Sequence, residues 1–105
     1  MPKIFGDVRQ FRADQPWGAR DLAEIDGATV RLHWMDQPYK WHVNDGTEVF
    51  VVLDGCVDMK YREADAEKTV RLNPSDIFVA VIGDEHVAHP VGEARILVVE
   101  RKGSV

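Results

Sequence analysis

Residues 41–55 read Trp41-His42-Val43-Asn44-Asp45-Gly46-Thr47-Glu48-Val49-Phe50-Val51-Val52-Leu53-Asp54-Gly55. Side chains alternate across a strand, so a strand over residues 40–43 sets His42 and Asn44 on one side. Asn44-Asp45-Gly46-Thr47 carries the residue types of a hairpin turn, which returns Glu48 beside that pair on the neighbouring strand. Glu48 then shares a face with Phe50 and Val52. A carboxylate on an apolar inward face is costly unless it is paired or bound to a metal.

Outward from this stretch the same period of two continues. Val30, Leu32 and Trp34 alternate with Arg31 and His33, and Val57, Met59 and Tyr61 with Asp58, Lys60 and Arg62. Val70 and Leu72 flank Arg71, and Ile96 and Val98 alternate with Arg95, Leu97 and Val99. Turn signals separate these runs: Asp26-Gly27, Asp36-Gln37-Pro38, Asp54-Gly55, Asn73-Pro74-Ser75-Asp76 and Ile82-Gly83-Asp84. About eight short strands at this density predict an all-β sandwich or barrel rather than βαβ units. Val49–Leu53 and Ile77–Ile82 are apolar on both faces, so something must cover their outer sides. The cover is residues 1–27, which hold Phe5, Phe11, Trp17, Leu22 and Ile25, or a second subunit, or both. The reading therefore divides the chain into an N-terminal extension (1–27), packed on the barrel or on a dimer partner, and a β-barrel domain (28–105). It predicts a homodimer, and one or two helical turns over Gly18–Ile25.

The chain has 105 residues, a length that suits one domain. Thirteen Lys and Arg against eighteen Asp and Glu, a net charge of −5, argue against non-specific binding to nucleic acid or anionic membrane. The single Cys56 excludes an internal disulfide and a thiolate zinc site, and reads as structural. No apolar run approaches 18 residues, and Met1–Asp14 lacks a signal pattern, so the expected location is the cytoplasm.

Four histidines differ in their company. His86 opens a later strand after Gly83-Asp84-Glu85 and can face the same interior as His42 and Glu48. Two imidazoles and a carboxylate occupy one face of a metal and leave positions for water or substrate. The same residues also read as hydrogen-bonded core histidines, with Glu48 ion-paired to Arg31 or Lys40. Periodicity leaves that choice open. His89, an odd number of residues after His86, faces the other side of a regular strand unless a bulge at Pro90 turns it inward. His33 shares a polar face with Thr29 and Arg31, which predicts surface or interface placement. Trp34, Tyr39, Trp41, Phe50 and Phe78 belong to core or lid, and any that line a pocket favour an apolar or ring-shaped ligand.

The stretch His42-x-Asn44-x3-Glu48-x6-Gly55 resembles the first motif of the cupin superfamily, His-x-His, three or four residues, Glu, six residues, Gly. Ser75-x5-Val81-x-Gly83-x2-His86 resembles the second motif, Gly-x5-Pro-x-Gly-x2-His-x3-Asn. Trp41-His42, the run Glu48–Leu53 and Glu100-Arg101-Lys102-Gly103 are similar to a branch of small, one-domain cupins. The resemblance spans residues 28–101. It implies a double-stranded β-helix, the jelly-roll barrel, with a site in its mouth and metal ligands at His42, Glu48 and His86. Asn44 falls at the position of the second histidine and offers a neutral amide oxygen, a poor soft-metal ligand. Ser75, Val81 and Pro90 also depart from the pattern, at turns.

The implied function is that of a small metal-binding cupin holding a divalent ion (Fe, Mn, Ni or Zn) and acting on a small molecule as an oxygenase or isomerase. The alternative is a non-enzymatic module that binds or senses a sugar or carboxylate, its metal site weak or lost. A metal-free epimerase with His42 or His86 as general base ranks last, because the chain shows no basic cluster for a nucleotide-sugar phosphate.

Overall fold

The computed structural model describes residues 1–104. After a single 3-10 turn at Val8–Gln10 come seven strands: β1 (Ala19–Ile25), β2 (Ala28–Met35), β3 (His42–Val43), β4 (Glu48–Glu63), β5 (Ala66–Leu72), β6 (Ile77–Ala80) and β7 (Glu85–Arg101). All their pairings are antiparallel. Gly18–Ile25 is thus not helical. Ala19–Ile25 pairs with β2 across the Asp26-Gly27 turn, and paired backbone outweighs the weak helical pattern of a short segment. The sheet therefore begins at Ala19, ahead of residue 28.

Two strands do double duty. The first half of β4 lies between β6 and the C-terminal half of β7, which carries β2 and then β1. The second half of β4 lies between β5 and the N-terminal half of β7, which carries β3. One chain of pairings thus folds into two facing layers, a jelly-roll barrel. The corner is Asp54-Gly55, where the register between β4 and β7 shifts on both sides of Asp54. Glu48, Phe50 and Val52 face inward before it, and Val57 and Met59 after it, so the bulge changes the inward parity. From residue 28 on there are six strands where about eight were expected, because β4 and β7 are long and continuous, and Asp54-Gly55 bends β4 without ending it. Gly55 has a φ of 80°, and a Cβ there would overlap the Glu93 carbonyl oxygen and lie 3.0 Å from the Ala94 Cα. Only glycine fits this corner.

The core between the layers is Phe50, Val52, Val57, Met59, Ile96, Val98 and their neighbours. On β2 the polar residues turn inward: Arg31 and His33 pair across from Val98 and Ile96 and line the interior. Leu32 and Trp34 point outward and are buried instead by residues 5–12, with Arg12 lying 5.1 Å over the Trp34 ring. The N-terminal segment therefore covers β2. It leaves the outer side of β6 and the turn after it open, where Ile77, Val79, Val81 and Ile82 are 61%, 55%, 49% and 73% exposed.

Candidate metal centre

Three strands converge at one end of the barrel. His42 on β3 is the cross-strand partner of His86 on β7, and their rings meet edge to face at 4.2 Å. Glu48 enters from the opposite layer at the start of β4. Its Oε1 lies 3.2 Å from His86 Nε2 and 3.9 Å from His42 Nε2. Glu48 and His86 are 8% and 3% exposed. The turns that carry them are tied together: the Asn44 N–H donates to the Asp84 carbonyl and the Gly83 N–H to the Asn44 carbonyl, both at 2.8 Å. His86, far from the other two candidate ligands in sequence, is therefore held beside them by paired backbone.

The donor set fits a divalent ion. Ligand atoms 2.0–2.2 Å from one ion lie roughly 3.0–3.4 Å from each other, and the three atoms here lie within 4.8 Å of one another. His42 Nδ1 sits 3.2 Å from the Lys40 carbonyl. That oxygen can only accept, so it holds a proton on Nδ1 and leaves Nε2, on the Glu48 side, as the nitrogen that would give up its proton to a metal, the arrangement a metal-binding imidazole needs. Neither Arg31 nor Lys40 pairs with Glu48. Its partners are the two histidines and Asn44, whose Nδ2 donates to Oε1 at 3.2 Å and to the Gly46 carbonyl at 3.4 Å. Asn44 joins the cluster as a donor, and its own Oδ1 has no hydrogen-bond partner among the described residues.

These contacts set the electrostatics. Burial pushes the Glu48 carboxyl up, but the imidazoles of His42 and His86 and the Asn44 amide outweigh it and hold the group at about 2. The adjacent Glu48 raises His42 above the usual histidine value. Glu100, the cross-strand neighbour of Glu48, is pushed up to about 6 by burial and by the Glu48 charge. Burial lowers His33. In chelator-treated protein, folding holds Glu48 ionised, a stability present above pH 4.5 and lost as pH falls towards 2. It is worth about 3 kcal/mol. Glu100 acts oppositely, removing stability as pH rises from 4.5 through 6, while the lowered His33 adds stability as pH rises to 6.5 and the raised His42 removes it above 6.5. The melting temperature of chelator-treated protein is therefore expected to peak between pH 4.5 and 6.5. A metal that needs neutral imidazoles moves the peak upward. A melting temperature that rises steadily from pH 4.5 to 8 without metal would contradict this.

The cluster forms the inner wall of a cavity of about 200 Å³, otherwise lined by Trp17, Arg31, His33, Tyr39, Phe50, Glu100 and a few small residues. His33, read from sequence as a surface residue, thus faces the site. Its polar strand face is polar because it lines a cavity, not because it meets bulk water. Trp17 packs against Tyr39 with the rings tilted and their centres 4.9 Å apart, donates through Nε1 to the Gln37 carbonyl at 2.8 Å, and holds a left-handed backbone with φ of 66°. No sequence pattern marks Trp17 as a wall of the site. The alternation of Thr29, Arg31 and His33 on one face was the available signal for β2. His89 stays outside: β7 is regular through Pro90, and His89 pairs across from Asp58. Trp34 and Trp41 also lie away from the cavity, Trp41 under the Arg62 guanidinium at 4.5 Å. Cys56 Sγ donates to Asn73 Oδ1 at 3.3 Å.

Solved structures of similar shape place this architecture. A cupin-2 domain containing protein from Shewanella frigidimarina superposes with a TM-score of 0.76 at 25% identity, over 86% of this chain and 85% of that one. An RmlC-like cupin protein from Desulfovibrio desulfuricans gives 0.74 at 20% identity, over 94% and 95%. CoII HppE in complex with substrate gives 0.69 at 16% identity, over 81% of this chain and 52% of that one. No family model matches the sequence, and no curated protein matches it. The chain has the cupin fold, in the form of the small one-domain cupins. Its His42–Glu48–His86 cluster fits a metal site. Among the described residues no helix is long and apolar enough to cross a membrane.

Proposed function

We propose that this chain is a metal-dependent cupin enzyme of oxygenase or isomerase type, working on a small ring-bearing molecule in the cytoplasm. The observation that carries the reading is the position of the His42–Glu48–His86 cluster, buried on its strand side and open on the other to an aromatic-walled cavity. A structural ion pair needs no such opening. His42, Glu48 and His86 would hold the ion, which when bound supplies Lewis-acid or redox chemistry at its open positions. Trp17, Tyr39 and Phe50 give a bound ring flat apolar surface and exclude water, while His33, Arg31 and Glu100 supply the polar contacts that orient it. The likeness in fold to CoII HppE, solved in complex with substrate, supports a metal and a small molecule as ligands of this chain.

Purified protein should carry about one ion per chain by elemental analysis. Finding none after incubation with iron, manganese, nickel and zinc would sink the reading. Stabilisation by sugars or carboxylates that is indifferent to chelator would instead favour a binding or sensing module. We also propose that the open apolar side of β6 is covered in a homodimer, because four large aliphatic side chains there meet solvent in the single chain. Sedimentation at micromolar concentration should give about twice the chain mass of 11.9 kDa, and a species near 12 kDa would refute it.

A further inference from the structure

The first-motif position that a second histidine would occupy holds Asn44 in this chain, and its surroundings decide what it does. The side-chain atom of Asn44 that approaches Glu48 Oε1 at 3.2 Å also approaches the Gly46 carbonyl at 3.4 Å. An ionised carboxylate and a carbonyl can only accept, so that atom must be the donor, the amide nitrogen. Turning the amide over would set its oxygen against two acceptors with no proton between them. The carbonyl oxygen, the only atom of Asn44 able to ligate a hard or borderline cation, is therefore not the atom turned to Glu48, and it is buried without a hydrogen-bond partner among the described residues. The backbone of the residue is held in place. Its N–H and C=O are both spent, at 2.8 Å each, on Asp84 and Gly83, and the residue is 7% exposed.

We infer that Asn44 is a positioning residue and not a metal ligand: it clamps Oε1 of Glu48 by charge-assisted hydrogen bonding, so that His42, Glu48 and His86 alone form the protein's side of the centre. The inference rests on the metal-binding reading above. It carries a consequence for the ligand: three protein donors leave a six-coordinate ion three exchangeable positions, one more than a four-ligand centre leaves. The substrate class this suits is a small molecule that chelates the ion through two donor atoms and still leaves one position free.

The chain has only five side-chain amides, Gln10, Gln15, Gln37, Asn44 and Asn73, so their nitrogen–proton signals resolve readily in a ¹⁵N-labelled sample. The Asn44 NH2 protons should exchange with solvent far more slowly than those of the exposed amides, in chelator-treated and in zinc-loaded full-length protein alike. Glu48→Gln should shift that signal in the chelator-treated sample by weakening its acceptor. Asn44→Ala should lower zinc affinity by about 10–100-fold while leaving one zinc per chain, as expected when an orienting partner is lost. Asn44 signals that become fast-exchanging when zinc is added would show the amide turning its oxygen to the ion, and would overturn the inference. So would zinc affinity unchanged in Asn44→Ala. If the native protein takes up no zinc, iron, manganese or nickel, it is the metal reading that fails. The chelator-treated spectra then still report whether Asn44 donates to Glu48.

Discussion

His86→Ala protein, after dialysis against buffer, is expected to retain no metal, its affinity reduced by more than about 100-fold. Loss of an orienting partner alone costs a metal site up to roughly that factor, and His86 is proposed as a ligand itself. It contributes a ring nitrogen 3.2 Å from Glu48 Oε1, on a side chain only 3% exposed, from a strand that does not move independently of the barrel. With alanine there, His42 and Glu48 remain, and two donors from one side of an ion do not hold it against water. The substitution also removes one of the three groups that keep the Glu48 carboxylate ionised. A buried acceptor left short of a partner costs about 1–3 kcal/mol, so the chelator-treated variant should melt lower than chelator-treated native protein. Elemental analysis, with circular dichroism to confirm that the strands persist, makes the check. A folded His86→Ala protein that keeps one ion per chain would remove His86 from the site.

The second large effect lies far from the chemistry. Gly55→Ala should destabilise the protein by about 3 kcal/mol or more. That corresponds to a melting temperature lower by more than about 10 °C. Two costs add at this residue: a φ of 80°, which a side chain resists, and a Cβ driven into the Glu93 carbonyl and the Ala94 backbone. Gly92 separates them. It lies in β7 close to the same corner with a φ of 70°, but nothing stands within 4 Å of where its Cβ would go. Gly92→Ala should therefore show the conformational cost alone, about 1 kcal/mol. Thermal melts of the two variants side by side give the comparison. Equal losses would mean that the close packing of β4 on β7 is not what requires glycine at residue 55.

The corner also shows where the sequence pattern misleads. Asp54-Gly55 carries the residues of a turn, and a turn there would end the strand. The chain instead bulges and continues, since β4 finds paired backbone on both sides of the bend. β2 misleads in the opposite sense. Alternation places Val30, Leu32 and Trp34 on one face and Arg31 and His33 on the other, and burial preference assigns the apolar face to the core. Both faces are in fact covered, one by residues 5–12 and the other by the barrel wall around the cavity. Period-two patterning says which residues share a face, never which face is inside. His33 and Arg31 were therefore legible as a pair but not as part of the site.

The hairpin expected to return Glu48 beside His42 does not form, because β3 pairs with β7 and the start of β4 with β6 and β7, so the two residues meet from opposite layers. The short-range content that the sequence did carry was strands from period-two runs and turns from Asn, Asp, Gly and Pro. These depend on neighbours a few residues apart, where backbone geometry alone sets which side chains meet. What tertiary structure decided depends on segments that meet only when two sheets close. It brought His86 beside His42 from 44 residues away in the chain, turned Arg31 and His33 into a cavity, and placed Trp17 over it. It also packed two acceptors, Glu48 Oε1 and the Gly46 carbonyl, against the Asn44 amide, and which acceptors meet an amide is fixed only by the folded chain.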